Sequence, residues 1–298
     1  MTFLAILVAL ALERALHAAE LEHLRQGNWF AAYRDAMLAR IDRLPGGDGP
    51  LGVALICLIP AVLVWGIIWF FAQYSTVLAF VFSVGVLLYC LGPRELLSQL
   101  KDYVDAHGDN EAQAGTGEET ARAIAGDLME SEPALGPEDD PHRAVTEAAL
   151  VRANDRLFAV LFWFAVAGPA GAALYRGAHL NARNTFADPG EGGYTGVAST
   201  FEGLMAWLPA RILALTYALT GSFEEAMADW KAYYEECTDP FFETSQAILS
   251  CAGCGAMRIS AGSHEAGLAE VRGVRSLLKR SLLLWLALLA VLTLVGLT

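Results

Sequence analysis

Residues 51–72 read LGVALICLIPAVLVWGIIWFFA, an unbroken stretch without a charge. A helix needs about 20 apolar residues to cross the hydrocarbon core of a bilayer. In that solvent only a helix satisfies every backbone N–H and C=O within one segment, the closed barrel being the other solution. The stretch therefore fixes a helical membrane fold, and the rest of the chain is read outward from it. Residues 74–92, YSTVLAFVFSVGVLLYCLG, are equally free of charge. A third run covers 157–175, and a fourth, SLLLWLALLAVLTLVGL, covers 281–297. The N-terminal MTFLAILVALAL ends at Glu13-Arg14. By length it fits a signal peptide, but it lacks a basic leading region and a convincing small-residue cleavage site, so it reads as a retained first membrane helix. Residues 204–221, LMAWLPARILALTYALTG, are apolar but interrupted by Pro209 and Arg211, and either span, re-enter or pack inside the bundle. The expected fold is all-α: a polytopic integral membrane helical bundle, one domain over 1–298. Its spans lie at about 2–19, 51–72, 74–92, 157–175, 204–221 and 278–297.

Composition agrees. The chain has 298 residues, 55% hydrophobic and 18% charged, more apolar than a soluble domain. Its net charge of −13 is concentrated: residues 93–156 hold fifteen acids against six bases, a net of −9. The centre of that segment, HGDNEAQAGTGEETARAIAGDLMESEPALGPEDDP, offers few large apolar residues and reads as a flexible acidic loop. Arg and Lys cluster in 13–50, at both ends of 93–156, and before the last span, which places these regions on the cytoplasmic side. The helical alternation in 25–44, with Trp29, Phe30, Tyr33, Met37 and Ile41 on one face, predicts an interfacial amphipathic helix. The expected partner is the lipid bilayer; no basic patch with interleaved aromatics points to nucleic acid. Oligomeric state is not legible.

Of the five cysteines, Cys57 and Cys90 fall in spans, and Cys251 and Cys254 form a lone CAGC. With no second pair, and with His264 as the nearest downstream histidine, the pair reads as packing residues, with a redox or metal site as the alternative. No phosphate loop, dinucleotide fingerprint, HExxH or GxSxG is present. Glu13, His17 and Glu20 share a helix face. They form either an interfacial polar face or a metal- or phosphate-handling one, and Glu13 at the edge of a span needs a partner or a function.

The densest polar region is ALYRGAHLNARNTFADPGEGGYTG, residues 173–196, directly after an apolar run. It offers Tyr175 and Arg176, Asn184 and Thr185, Asp188 and Glu191, and Tyr194; Glu202 and Arg211 follow. A guanidinium can clamp a phosphate or carboxylate in bidentate fashion. The stretch is either an interfacial loop or a ligand site. The expected ligand-binding residues are Glu13, His17, Tyr175, Arg176, Asn184, Thr185, Asp188, Tyr194, Glu202 and Arg211; of these Glu13, Tyr175, Arg176, Asn184, Tyr194 and Arg211 are expected to converge on one membrane-embedded polar cavity for an anion. No catalytic residue and no metal ligand is assigned.

The pattern GPAGAALYR…NT…D…GGY…F…WLPARI resembles the AmpE and CobD/CbiB group of bacterial membrane proteins. The CobD/CbiB resemblance implies a cobalamin-pathway enzyme that attaches an aminopropanol arm to adenosylcobyric acid, with ATP and a divalent metal. The AmpE resemblance implies an inner-membrane regulatory protein, tied to peptidoglycan recycling and β-lactamase induction through a cell-wall amidase pathway. The cobalamin pattern has an Arg where this chain has Thr195, a second acid where it has Gly203, and an Asn where it has Ala206. These departures favour the AmpE-like sensor and lean against catalysis. The CobD/CbiB-like amide ligase is the alternative, and in it Mg and a nucleotide would be the cofactors.

Overall fold

The computed structural model describes residues 2–16, 28–41, 49–91, 96–107, 114–129, 140–186, 192–236, 244–259 and 267–295. Among them the chain is helical throughout apart from short turns, without a strand. In chain order the helices are α1 (Thr2–Leu16), α2 (Asn28–Ile41), α3 (Pro50–Tyr74), α4 (Thr76–Cys90), α5 (Leu96–Ala106) and α6 (Ala114–Met129). They continue as α7 (Pro141–Ala153), a π-helical turn over Asn154–Phe158, and α8 (Ala159–Phe186). The remaining four are α9 (Gly192–Thr220), α10 (Phe223–Glu236), α11 (Ser245–Ala256) and α12 (Leu268–Leu294). Among the described residues four helices are long and apolar enough to cross a membrane: Pro50–Tyr74, Pro141–Arg183, Gly193–Thr220 and Leu268–Leu294. On α3, Val62, Leu63, Trp65 and Trp69 are 59–61% exposed. A contiguous apolar surface of that kind belongs against lipid. The protein is thus an all-α, multi-pass membrane protein.

The chain divides into two compact units, Met1–Pro93 with Asp155–Pro209 and Leu286–Thr298, and Arg94–Asn154 with Ala210–Trp285. In the first unit α8 packs on α1, α2, α3 and α4. Phe30 and Ile41 of α2 are buried while Trp29 is half exposed, and Tyr33 O–H donates to the Ile56 carbonyl at 3.4 Å, so α2 docks on the bundle. Within α8 the backbone breaks at Gly168, whose φ of 66° and ψ of −162° are open to glycine alone at little cost. Pro169 follows and can donate no hydrogen bond across the break. The bend brings Gly171 against the preceding turn: a Cβ there would lie 2.5 Å from the Trp163 carbonyl oxygen and 2.6 Å from the Ala167 Cβ.

Part of the segment read as a flexible acidic loop is helical. Three helices, α5, α6 and α7, pack together there. Leu96, Leu100 and Tyr103 line one buried face, and Ala121, Ile124, Ala125 and Leu128 line another at helical spacing. The alanines dilute this stripe in sequence, but they are small enough for close helix contact. Residues 108–113 and 130–139 lie outside the described residues. Gln99 Nε2 donates to Asp127 at 2.6 Å, and Tyr217 O–H donates to the Leu150 carbonyl at 2.9 Å. Residues 192–220 form one continuous helix through Pro209.

The CAGC pair sits on α11, which packs on α7 and α10. A Cβ on Gly253 would meet the Leu150 side chain at 2.6 Å, and one on Gly255 would meet Ala226 and Glu225 of α10 at 2.8 Å. Small residues here let helices approach closely, which accounts for the motif by packing. Burial pushes the Cys254 thiol up to about 12. Cys237 and His264 lie outside the described residues.

Two outcomes are expected. Gly171→Ala should lower stability by about 1–3 kcal/mol, since neither the Trp163 carbonyl nor the helix can retreat freely; thermal unfolding in detergent checks this, and an unchanged midpoint would contradict it. At pH 8 folded Cys254 should alkylate far more slowly than the unfolded chain, because a rise of about three pKa units cuts its thiolate about 10³-fold. Buried as the neutral thiol, it contributes stability below pH 9, and that contribution fades as pH rises toward 12.

Candidate functional site

Past the Gly168 break, α8 presents Tyr175 and His179 one turn apart on the same face. Their rings stack with centroids 6.4 Å apart and an interplanar angle of 17°. The π-helical turn ahead of α8 carries Asp155. Such a turn fits one extra residue per turn and is common at functional sites. It leaves Asp155 within reach of the Tyr175 hydroxyl, which donates to Oδ1 at 3.4 Å. The third element is α9. Trp163 Nε1–H donates to the Met205 carbonyl at 3.0 Å and ties α9 to the first half of α8. Glu202, one turn before Met205, then meets His179: Nδ1 and Oε1 are 2.6 Å apart.

The result is a trio, Asp155, His179 and Glu202, whose metal-capable atoms all lie within 4.8 Å of one another. Asp155 is 5% exposed and His179 4%. Two carboxylates so placed repel each other and are costly to bury without positive charge. The donor set, two carboxylates and an imidazole, suits a divalent cation. The Nδ1–H to Glu202 bond would leave Nε2 as the ring nitrogen with a lone pair. Beside the trio, Tyr194 O–H donates to Asn181 Oδ1 at 3.0 Å, both residues being buried.

Of the expected ligand-binding residues, Tyr175 and Glu202 come together through Asp155 and His179. Tyr194 joins α9 to the same half of α8. Arg176 is 4% exposed and turns to a separate cavity in the first unit. Glu13 is half-buried on α1. Arg211 belongs to the second unit, where its guanidinium donates to Ser245 at 2.8 Å and Thr244 at 2.6 Å. Asn184 and Thr185 lie in α8, but their side chains, like His17, Glu20, Asp188 and Glu191, fall outside the described residues. Sequence reasoning missed Asp155, His179 and Asn181. His179 stands four residues after Tyr175, a spacing that marks one helix face. Asp155 was absorbed into the acidic count of 93–156.

The sequence profile of the family described as CobD/Cbib protein matches residues 6–275. The chain is 33% identical over 127 residues to the cobalamin biosynthesis protein CobD of Stutzerimonas stutzeri, covering 42% of this chain and 40% of that protein. It is 34% identical over 121 residues to the protein of the same name from Chromobacterium violaceum, covering 40% and 38%. The aligned part thus spans about two fifths of the length of these curated relatives. No solved structure matches. These matches overturn the AmpE-like sensor of β-lactamase induction, for which they give no support. That reading counted losses at positions 195, 203 and 206 along one contiguous motif, whereas the fold gathers its donors from the π turn, α8 and α9. With the profile covering most of its length, the chain belongs to the CobD/CbiB family.

Proposed function

We propose that this chain is a membrane enzyme of cobalamin biosynthesis, an ATP-dependent amide ligase joining an aminopropanol arm to a corrinoid carboxylate. The observation that carries the reading is the convergence of Asp155, His179 and Glu202 inside the region that the family profile covers. Amide formation from a carboxylate and nucleotide phosphates brings several anions together, and a protein must offset that charge. Asp155, His179 and Glu202 would hold a divalent cation such as Mg²⁺, which when bound supplies positive charge for phosphate and carboxylate oxygens. Before a cation binds, Glu202 holds the His179 ring in place through Nδ1. Tyr175 covers one face of that ring and tethers Asp155, so the trio is held before any ligand arrives. The trio supplies acidic donors that Gly203 and Ala206 do not.

The protein would lie in the bacterial inner membrane with 93–156 on the cytoplasmic face. Arg94, Lys101, Arg152 and Arg156 near the spans support that side, where ATP is available.

The test is ligation of aminopropanol or its phosphate to adenosylcobyric acid by the full chain in bilayers, with ATP and Mg²⁺. Wild type should form the amide in an ATP-dependent way. Asp155→Asn and Glu202→Gln should each lose at least about 10²-fold of the rate while inserting normally, since even outer partners of metal ligands cost 10–100-fold. A wild-type protein that makes no ATP-dependent product, or variants that match it, would sink the reading.

A further inference from the structure

The first unit contains a second feature that the trio does not use, a cavity of about 510 Å³ between α2, α3, α4 and α8. Its walls include Trp29, Val64, Phe82, Gly85 and Tyr89, and among the described residues Arg176 is the only charged one in that lining. The volume falls in the range of small-molecule sites, roughly 300–1,000 Å³. Arg176 is 4% exposed, and among the described residues it makes no hydrogen bond or ion pair. The groups that act on it include Arg156 and Arg183, both cationic. A buried guanidinium in this setting calls for an anion. A second donor stands beside it. Trp29 Nε1–H donates to the Tyr89 hydroxyl oxygen. The hydroxyl proton of Tyr89 is then left to donate elsewhere, and among the described residues it has no acceptor.

The walls specify the rest of the occupant. Apart from Arg176 and the Tyr89 hydroxyl they are almost wholly apolar. Val81, also in the lining, is 60% exposed, and Gly85 is exposed as well. Both lie on α4, an apolar helix that packs on the spanning α3. The cavity is therefore continuous with a surface that faces acyl chains, and a ligand could enter it sideways from the bilayer. A small soluble anion would match Arg176 but leave the apolar wall unused.

We propose that this cavity is a phospholipid site, with the lipid phosphate on Arg176 and Tyr89 and an acyl chain along Val64, Phe82 and Gly85. The site stands apart from the trio and does not depend on the ligase reading.

The experiment uses the full chain reconstituted in vesicles of equal parts phosphatidylglycerol and phosphatidylcholine, extracted gently and weighed by native mass spectrometry. Wild type should retain phospholipid. Arg176→Gln should weaken retention by about tenfold or more, as expected for loss of a charge-assisted hydrogen bond. Gly85→Leu should do so as well with the guanidinium intact: a Cβ at Gly85 has no heavy atom within 4 Å, so the new side chain can enter the groove. Circular dichroism melts establish that each variant is folded, and if Arg176→Gln does not fold, Gly85→Leu decides. Retention equal to wild type in a folded variant would overturn the proposal. So would inorganic phosphate that displaces the lipid and binds as tightly alone, which would mark a free-anion site.

Discussion

The contact between His179 and Glu202, with Asp155 beside it, is the constraint around which the membrane bundle is built. Two carboxylates inside a low-dielectric bundle repel each other and lose their hydration. Three separate devices aim the donors at one point. The π turn sets Asp155, the Gly168 break sets the half of α8 that carries Tyr175 and His179, and the Trp163–Met205 bond sets α9. The first two depart from straight helix geometry, at some cost in regular hydrogen bonding, and the third is a side-chain bond between two helices. Their coincidence at one site points to chemistry rather than packing as the reason they exist.

The spans were legible because hydrocarbon imposes a single solution on a long uncharged stretch, and LGVALICLIPAVLVWGIIWFFA leaves no alternative to a helix. Where water is available the pattern is weaker. The α6 helix was read as loop because Ala121 and Ala125 carry half of its buried stripe, and alanine registers faintly beside a run of acids. The site was legible in part for a related reason. Tyr175 and Glu202 stand in a visible polar motif, but Asp155 sits twenty residues before Tyr175, and only the π turn and the break return it. Arg211 shows the converse. It belongs to the same sequence motif, yet its guanidinium is committed to Thr244 and Ser245 of the second unit.

The motif taken alone points toward the wrong branch of the family. A motif scored position by position treats Thr195, Gly203 and Ala206 as lost function. A fold can draw equivalent donors from elsewhere, and a profile over residues 6–275 weighs the chain as a whole. The division into two polar features is also invisible along the sequence. Tyr175 and Arg176 are adjacent, but successive helix residues point about 100° apart, so one joins the trio and the other faces an apolar cavity.

The claim that the trio is a cation site is tested most directly by pulsed electron paramagnetic resonance on the full chain in bilayers loaded with Mn²⁺. The account predicts stoichiometric binding with a nitrogen coupling from the His179 imidazole. That coupling should vanish in His179→Gln, and binding itself should weaken in Asp155→Asn. Mn²⁺ that binds without nitrogen coupling, or that binds both variants as it binds wild type, would contradict it.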